Sequence, residues 1–220
     1  MSGADTSIDG VSFDLFGTLV RVDGPDDPAA AVADALEARD VDVPDDWSTA
    51  YAEPHVEVPD GTELPLADHV VAALASRSDS LRGDDVRSDV EDAVFDAFEP
   101  RVETREDAAS AVKTLADRLP VGVLSNCSVS GLAERALAES DVDESALDAV
   151  VTSVDCGWRK PAPRAFEAVA AELGVEVDRL VHVGDDPRTD GRATAAGARS
   201  VLVEETPLGA VPETLEERWG

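Results

Sequence analysis

Asp14 sits inside an otherwise apolar run, VSFDLFGTLV, that breaks at Gly17-Thr18. A carboxylate in a buried strand needs a partner or a task. Three further stretches carry groups of comparable reactivity. Ser125-Asn126 closes VGVLSN, Lys160 stands in GWRKPAP, and Asp185 ends HVGD. Lys160 is informative because the chain has only one other lysine, Lys113. Two carboxylates, a lysine and a hydroxyl could be gathered in one crevice only if distant parts of the chain converge.

The elements that must do this read as short apolar runs alternating with helical periodicity. Strands are expected at Val11–Phe13, Val121–Leu124, Leu147–Val151, Leu180–Val183 and Val201–Val203. Helical stripes follow through Leu132, Ala133, Ala136 and Leu137, and through Phe166, Val169, Ala170 and Leu173. Pro187 suits the first turn of another helix, with Gly197 at its end. Strand, helix, strand repeated this way argues for a parallel α/β sheet. Asp14, Ser125-Asn126 and Asp185 then fall at the carboxyl ends of strands, where open α/β sheets place ligands. Lys160 opens the segment after the third strand.

Residues 22–102 break the alternation. They read as helices near Ala29–Arg39, Leu66–Arg77 and Val86–Phe98, with no strand. The first two helices are separated by a stretch too long and aperiodic for an ordinary connection, which suggests a lid or functional loop. The expected organisation is a core of residues 1–21 and 103–220, interrupted by a helical cap over 22–102.

Composition narrows the function. The chain holds 48 acidic against 18 basic residues in 220, a net charge of −30. Such a surface repels nucleic acid and anionic membranes, so neither is an expected partner. No apolar run approaches a membrane span and no basic or apolar leader is evident, which points to a cytoplasmic protein. Acid enrichment with lysine nearly absent resembles proteins of extreme halophiles, in which molar salt shortens the screening length to about 3 Å. Cys127 and Cys156 form neither a disulfide framework nor a metal pattern and are read as reduced thiols. Oligomeric state is not readable from the sequence.

The order of these pieces resembles the haloacid dehalogenase superfamily, most of whose members are phosphatases. FDLFGTLV is similar to its first motif, VGVLSNCS to its second, GWRKPAPRAF to its third and HVGDDPRTDGRATAAG to its fourth. The fold this implies is a Rossmann-like parallel-sheet core with an inserted α-helical cap. The resemblance implies that Asp14 is a nucleophile forming an aspartyl-phosphate. Thr18 and Ser125 would donate to phosphate oxygens, assisted by backbone amides around Gly17 and Asn126 and by the helix that follows. Lys160 would neutralise charge between nucleophile and phosphate. Mg²⁺ would be held by Asp14, the Phe16 carbonyl and Asp185, with Asp190 in support. His182 reads as a satisfied core or edge histidine, and Asp186 as a solvated acid. Trp47, Tyr51 and His55 could line the mouth of the site or anchor the long loop. Arg21 and Arg39 could meet a substrate carboxylate or be ordinary surface arginines.

Phe16 is the departure. Most phosphatases of this superfamily place a second aspartate there, which protonates the leaving oxygen and then activates water. Losing such acid–base help typically costs about 10²–10⁴ in rate. One reading is a Mg²⁺-dependent hydrolase of small phosphorylated metabolites, favouring acyl or aryl phosphates whose leaving groups need no proton. A second is a metal-independent 2-haloacid dehalogenase, whose first motif also resembles DLFGTL but which usually lacks the acids kept in GDDPRTD. A third is a phosphate-ligand binder without turnover. The phosphonatase branch is set aside, because its Schiff-base lysine has no counterpart between Met1 and Val112.

Overall fold

A computed structural model of the chain describes residues 7–78, 84–99 and 101–220. Residues 1–6, 79–83 and 100, which belong to the expected core and cap ranges, lie outside it.

Five parallel strands make the central sheet, in the order β5-β4-β1-β6-β7. They are β1 (Gly10–Phe13), β4 (Val121–Ser125), β5 (Ala149–Thr152), β6 (Leu180–Gly184) and β7 (Arg199–Leu202). β1, β4 and β6 are buried along their whole length, as runs dominated by apolar residues require, and the polar Ser12, Ser125 and His182 within them are buried too. Starting from central β1, the chain builds outward through β4 to β5, then crosses back to β6 and β7. That reversal of direction opens a crevice at the carboxyl ends of β1, β4 and β6.

Each face of the sheet has its own core. Val11, Phe13, Val121, Val123, Val181 and Val183 point to one face, together with apolar residues of α5 (Ala108–Ala116), α6 (Leu132–Ala138) and α9 (Val211–Trp219). Leu124 and Leu180 point to the other, covered by α8 (Pro163–Leu173). Ser12 and His182 are register partners between β1 and β6, and the alternation of strand side chains sends both to the α8 face.

The segment between β1 and α5 differs from the expectation of helices alone. β2 (Val20–Asp23) and β3 (Arg101–Thr104) pair antiparallel as a two-stranded ribbon. Each is four residues long and partly exposed, so neither carries the apolar run that marks a buried strand. The expected boundaries at 21/22 and 102/103 fall inside this ribbon. Beyond it, α1 (Pro28–Glu37), α2 (Trp47–Ala52), α3 (Leu66–Ala75) and α4 (Asp84–Ala97) form a helical insert around Val32, Leu36, Val70, Leu74, Val90 and Val94. Asp27 caps α1, its carboxylate accepting from Ala30 N. Cys127, Val129 and Leu132 of the core join the insert's cluster, and Phe16 packs against both this cluster and that of the sheet.

The helix expected to start at Pro187 is instead a 3-10 stretch, Asp190–Ala196, ended by Gly197 at φ +95°. Pro187 lies in the turn before it. There Asp190 N and Gly191 N both bond to Asp186 O, so the backbone bends before it coils.

Candidate active site

The turn after β1 is built to let two strand ends meet. Asp14 N donates to Val183 O at 2.8 Å, extending the β1–β6 ladder by one residue. Gly17 then adopts φ +92°, and a Cβ placed on it would lie 2.6 Å from Asp185 Oδ2. No other residue type tolerates both that angle and that approach. Within the turn, Gly17 N donates to Val20 O, while Thr18, Leu19 and Val20 N all donate to Leu15 O. None of these bonds uses the Phe16 carbonyl.

Asp14, Phe16, Ser125, Asn126, Lys160, Asp185 and Asp190 line a single cavity of about 340 Å³, together with Arg159, Asp186 and Thr189. A larger cavity of about 460 Å³ between α3, α4 and residues 128–130 holds none of the acids named at the site nor Lys160. Lys160 is the hub. Its Nζ donates to Asp14 Oδ1 and to Leu124 O, both at 2.7 Å, and lies 2.8 Å from Asp190 Oδ1. Asn126 fixes the backbone that carries it. Lys160 N donates to Asn126 Oδ1 at 2.7 Å, and Asn126 Nδ2 returns a bond to Lys160 O at 3.0 Å.

Asp190 is saturated with partners. Besides Lys160, it accepts at Oδ1 from His182 Nε2 (3.0 Å) and at Oδ2 from the backbone amides of Asp185 and Asp186. Burial works against its charge, but the His182 hydrogen bond and the Lys160 charge outweigh that and hold the carboxyl well below the usual range. His182 is fully buried, and burial pushes it down to about 4, with the Lys160 charge acting in the same direction. It is therefore the neutral ring with hydrogen on Nε2, and Ser12 Oγ serves Nδ1 at 2.8 Å. This places His182 as a satisfied core residue.

Asp14 is held the other way. Burial drives its carboxyl up to about 6; Lys160 opposes this, while Asp190 and Asp185 add to it. Carboxylate oxygens of Asp14, Asp185 and Asp190 lie within 4.8 Å of one another. With Asp190 fully engaged, Asp14, Asp185 and the Phe16 carbonyl remain as hard oxygen donors that could hold a divalent cation. A cation there would relieve the repulsion that adds to burial in raising Asp14.

The structure separates the anion-binding candidates. Ser125 Oγ is buried, lines the cavity and lacks a hydrogen-bond partner among the described residues. Thr18 Oγ1 instead donates to Asp185 Oδ1 at 2.9 Å, and the Gly17 amide is occupied by Val20 O. Neither residue lines the cavity. The helix expected after Asn126 begins only at Leu132, so its end does not adjoin Asn126 in sequence.

Several other candidates fall away from the cavity. Trp47 Nε1 donates to Ala29 O, Tyr51 packs edge-on against His69, and His55 Nε2 bonds with Ala50 O, all anchoring the insert. Arg39 pairs with Asp96 and Arg21 is exposed. Burial raises both cysteine thiols, and Cys127 Sγ bonds to Val129 O.

Glu63 was not indicated by any motif. Its side chain is only 3% exposed; it accepts from Ser153 Oγ and takes two bonds from Arg159 Nη1 at 2.8 and 2.9 Å. Nothing in the sequence distinguishes it from 47 other acids.

Comparison with known proteins bears on the family and the fold. Residues 8–197 match the family described as hydrolase, haloacid dehalogenase-like hydrolase. The chain is 34% identical over 99 residues to Phosphatase MT3486 of Mycobacterium tuberculosis (strain CDC 1551 / Oshkosh), covering 44% of this chain and 45% of that protein. The match thus spans less than half of that relative. A 2-haloacid dehalogenase from Pseudomonas syringae pv. Tomato DC3000 superposes with a TM-score of 0.65 at 19% identity, over 97% of this chain and all of the other. A predicted phosphoglycolate phosphatase from Haemophilus somnus 129PT gives a TM-score of 0.58 at 16% identity, over 94% and 97%. These two likenesses speak to the fold, a Rossmann-like sheet flanked by helices. The chain belongs to the haloacid dehalogenase-like hydrolase family.

Proposed function

We propose that the protein is a Mg²⁺-dependent hydrolase of small phosphorylated metabolites that works through a phosphoenzyme on Asp14. The observation that carries this is the unpartnered Ser125 hydroxyl facing the same cavity as Asp14, Lys160 and Asp185. It is a donor waiting for an anion beside a nucleophile and a cation. The Asp14 carboxylate attacks phosphorus, the leaving oxygen departs with the bonding pair, and water then hydrolyses the acyl phosphate. Lys160 offsets the charge between carboxylate and phosphate, and Ser125 donates to a phosphate oxygen. Mg²⁺, held by Asp14, the Phe16 carbonyl and Asp185, would neutralise the repulsion between these acids and an incoming phosphate. Phe16 supplies no proton, so acyl and aryl phosphates are favoured over alkyl esters. The helical insert acts as the cap over this site.

One observation favours a second reading. Phe16 is apolar where a phosphatase of this family carries an acid, as expected of a 2-haloacid dehalogenase. Assays in molar KCl separate the two, measuring phosphate from an aryl phosphate and halide from 2-chloropropionate, each with Mg²⁺ and with chelator. Phosphate release that stops with chelator is expected; chelator-resistant halide release would overturn the proposal.

The surroundings we propose are a cytoplasm of molar salt. No helix among the described residues is long and apolar enough to cross a membrane. A melting temperature that climbs steadily as KCl rises to about 1 M would follow from screening a charge of −30. A flat response would remove the halophilic part of the proposal.

A further inference from the structure

We infer that the group displaced from phosphorus carries an apolar body about the size of a phenyl ring, with no charge beyond the oxygen that leaves, and that this body seats in a second cavity sharing Phe16 with the first. The inference rests on the phosphoryl-transfer reading above and names the substrate class for it.

Phe16 and Asn126 line both the catalytic cavity and a neighbouring one of about 210 Å³. The neighbour is walled by Val22 of β2, Leu66 at the start of α3, Phe98 after α4, and Val129 and Leu132 of the core. A bond from Leu66 N to Ser128 O, 2.8 Å, ties the insert's wall to the core's wall. Among the described residues lining this space there is no Lys, Arg or His, and its one carboxylate is Asp23.

These walls discriminate by charge. A carboxylate or second phosphate on the leaving group would give up water for Phe16, Leu66 and Phe98, with an acid nearby and no cation to compensate. A neutral ring gains from the same surfaces, and an apolar cavity on the order of 150 Å³ is enough to take benzene. The chemistry converges on the same class independently. A phenolate or carboxylate leaves without the proton that Phe16 cannot give, whereas an alkoxide does not. Phe16 thus serves as both the missing acid and the shared apolar wall.

The test uses the full chain in molar KCl with Mg²⁺ and two non-hydrolysable probes, benzylphosphonate and phosphonoacetate, their affinities read by calorimetry. Benzylphosphonate is expected to bind at least about tenfold tighter, the discrimination an apolar pocket typically offers. Val22→Arg, which places a cation in the wall, should narrow or reverse that ratio. Equal binding by the wild-type chain, or a preference for phosphonoacetate, would overturn the inference whatever the variant does. Hydrolysis of acetyl phosphate, whose small acyl group makes little use of the pocket, is measured alongside. Acetyl phosphate turnover without a benzyl preference sinks the pocket alone. No turnover and no phosphonate binding sinks the phosphoryl-transfer reading, and this inference with it.

Discussion

Lys160 Nζ lies 2.8 Å from Asp190 Oδ1, with both side chains all but sealed from solvent. Since Asp14 Oδ1 stands 2.7 Å from the same nitrogen, Asp190 aims the lysine at the proposed nucleophile. Asp190→Asn removes the charge but keeps the shape. Breaking a buried pair from one side costs roughly 3–5 kcal/mol. In a chain of this size that corresponds to a melting temperature lower by roughly 6–20 °C. Turnover should fall at least about tenfold, as for other residues that orient a ligating group. Melting and turnover both near wild type would mean that Lys160 holds its place without Asp190.

Two buried groups titrate in the same window with opposite sign. The Asp14 carboxyl is raised to about 6, so the folded state keeps a proton that the unfolded chain releases near 3.8. Its contribution therefore stabilises at low pH and is lost as pH rises through 6. His182 is lowered to about 4, so the unfolded chain gains a proton below 6.5 that the folded state refuses. Its contribution is lost as pH falls from 6.5 to 4. The two slopes offset each other in metal-free protein. Asp14→Asn should make the protein more stable at pH 7 in chelator, and should expose an acid limb that declines below 6.5. Urea titrations from pH 4 to 8 would show it, and an Asn variant less stable than wild type at pH 7 would contradict the assignment.

Much of this was readable from residue types and spacing, and the limits are physical. The buried strands announce themselves because a strand covered on both faces must be mostly apolar, as Val121–Leu124 is and as Leu180–Val183 is apart from His182. Asp14, Lys160 and Asp185 stand out because each is a charged group next to such a run or a rare residue type. The ribbon of Val20–Asp23 and Arg101–Thr104 does not, because four half-exposed residues need no apolar pattern. α9 buries only Val211 and Leu215, with Trp219 packed beside them partly exposed, too sparse a stripe to read. Thr18 is ambiguous in the sequence because its hydroxyl can serve a carboxylate as well as a phosphate; in the structure it donates to Asp185 Oδ1.

Phe16→Asp tests whether the site still has room for an acid. Phe16 packs against both hydrophobic clusters, so a carboxylate there should lower stability by about 1–3 kcal/mol. Alkyl-phosphate hydrolysis should nevertheless rise at least about tenfold, since positioned acid–base help supplies 10²–10⁴. The gain should be smaller for aryl phosphates, which leave unaided. An alkyl rate that is unchanged or lower, in a variant that still melts cooperatively, would show that an acid at this position does not reach the leaving oxygen.

Glu63 joins the long loop to the segment that ends in Lys160. Thr62 and Trp158 form an antiparallel bridge, with Glu63 N bonded to Gly157 O and Arg159 N to Gly61 O. The Glu63 carboxylate holds Arg159, which itself lines the catalytic cavity. Residues 53–60, just before this clasp, are mostly exposed. The role this predicts for Glu63 is positioning, exerted on Lys160 through Arg159 and the paired backbone. Glu63→Gln should speed proteolysis within 53–60, because local opening then costs less. It should lower kcat several-fold more than it raises KM, since the lysine's aim is disturbed while the cavity remains. A double-mutant cycle with Arg159→Gln should return a coupling of about 1 kcal/mol, modest because Arg159 is 43% exposed. Additive effects, with the protease sensitivity of 53–60 unchanged, would reduce the clasp to a surface contact.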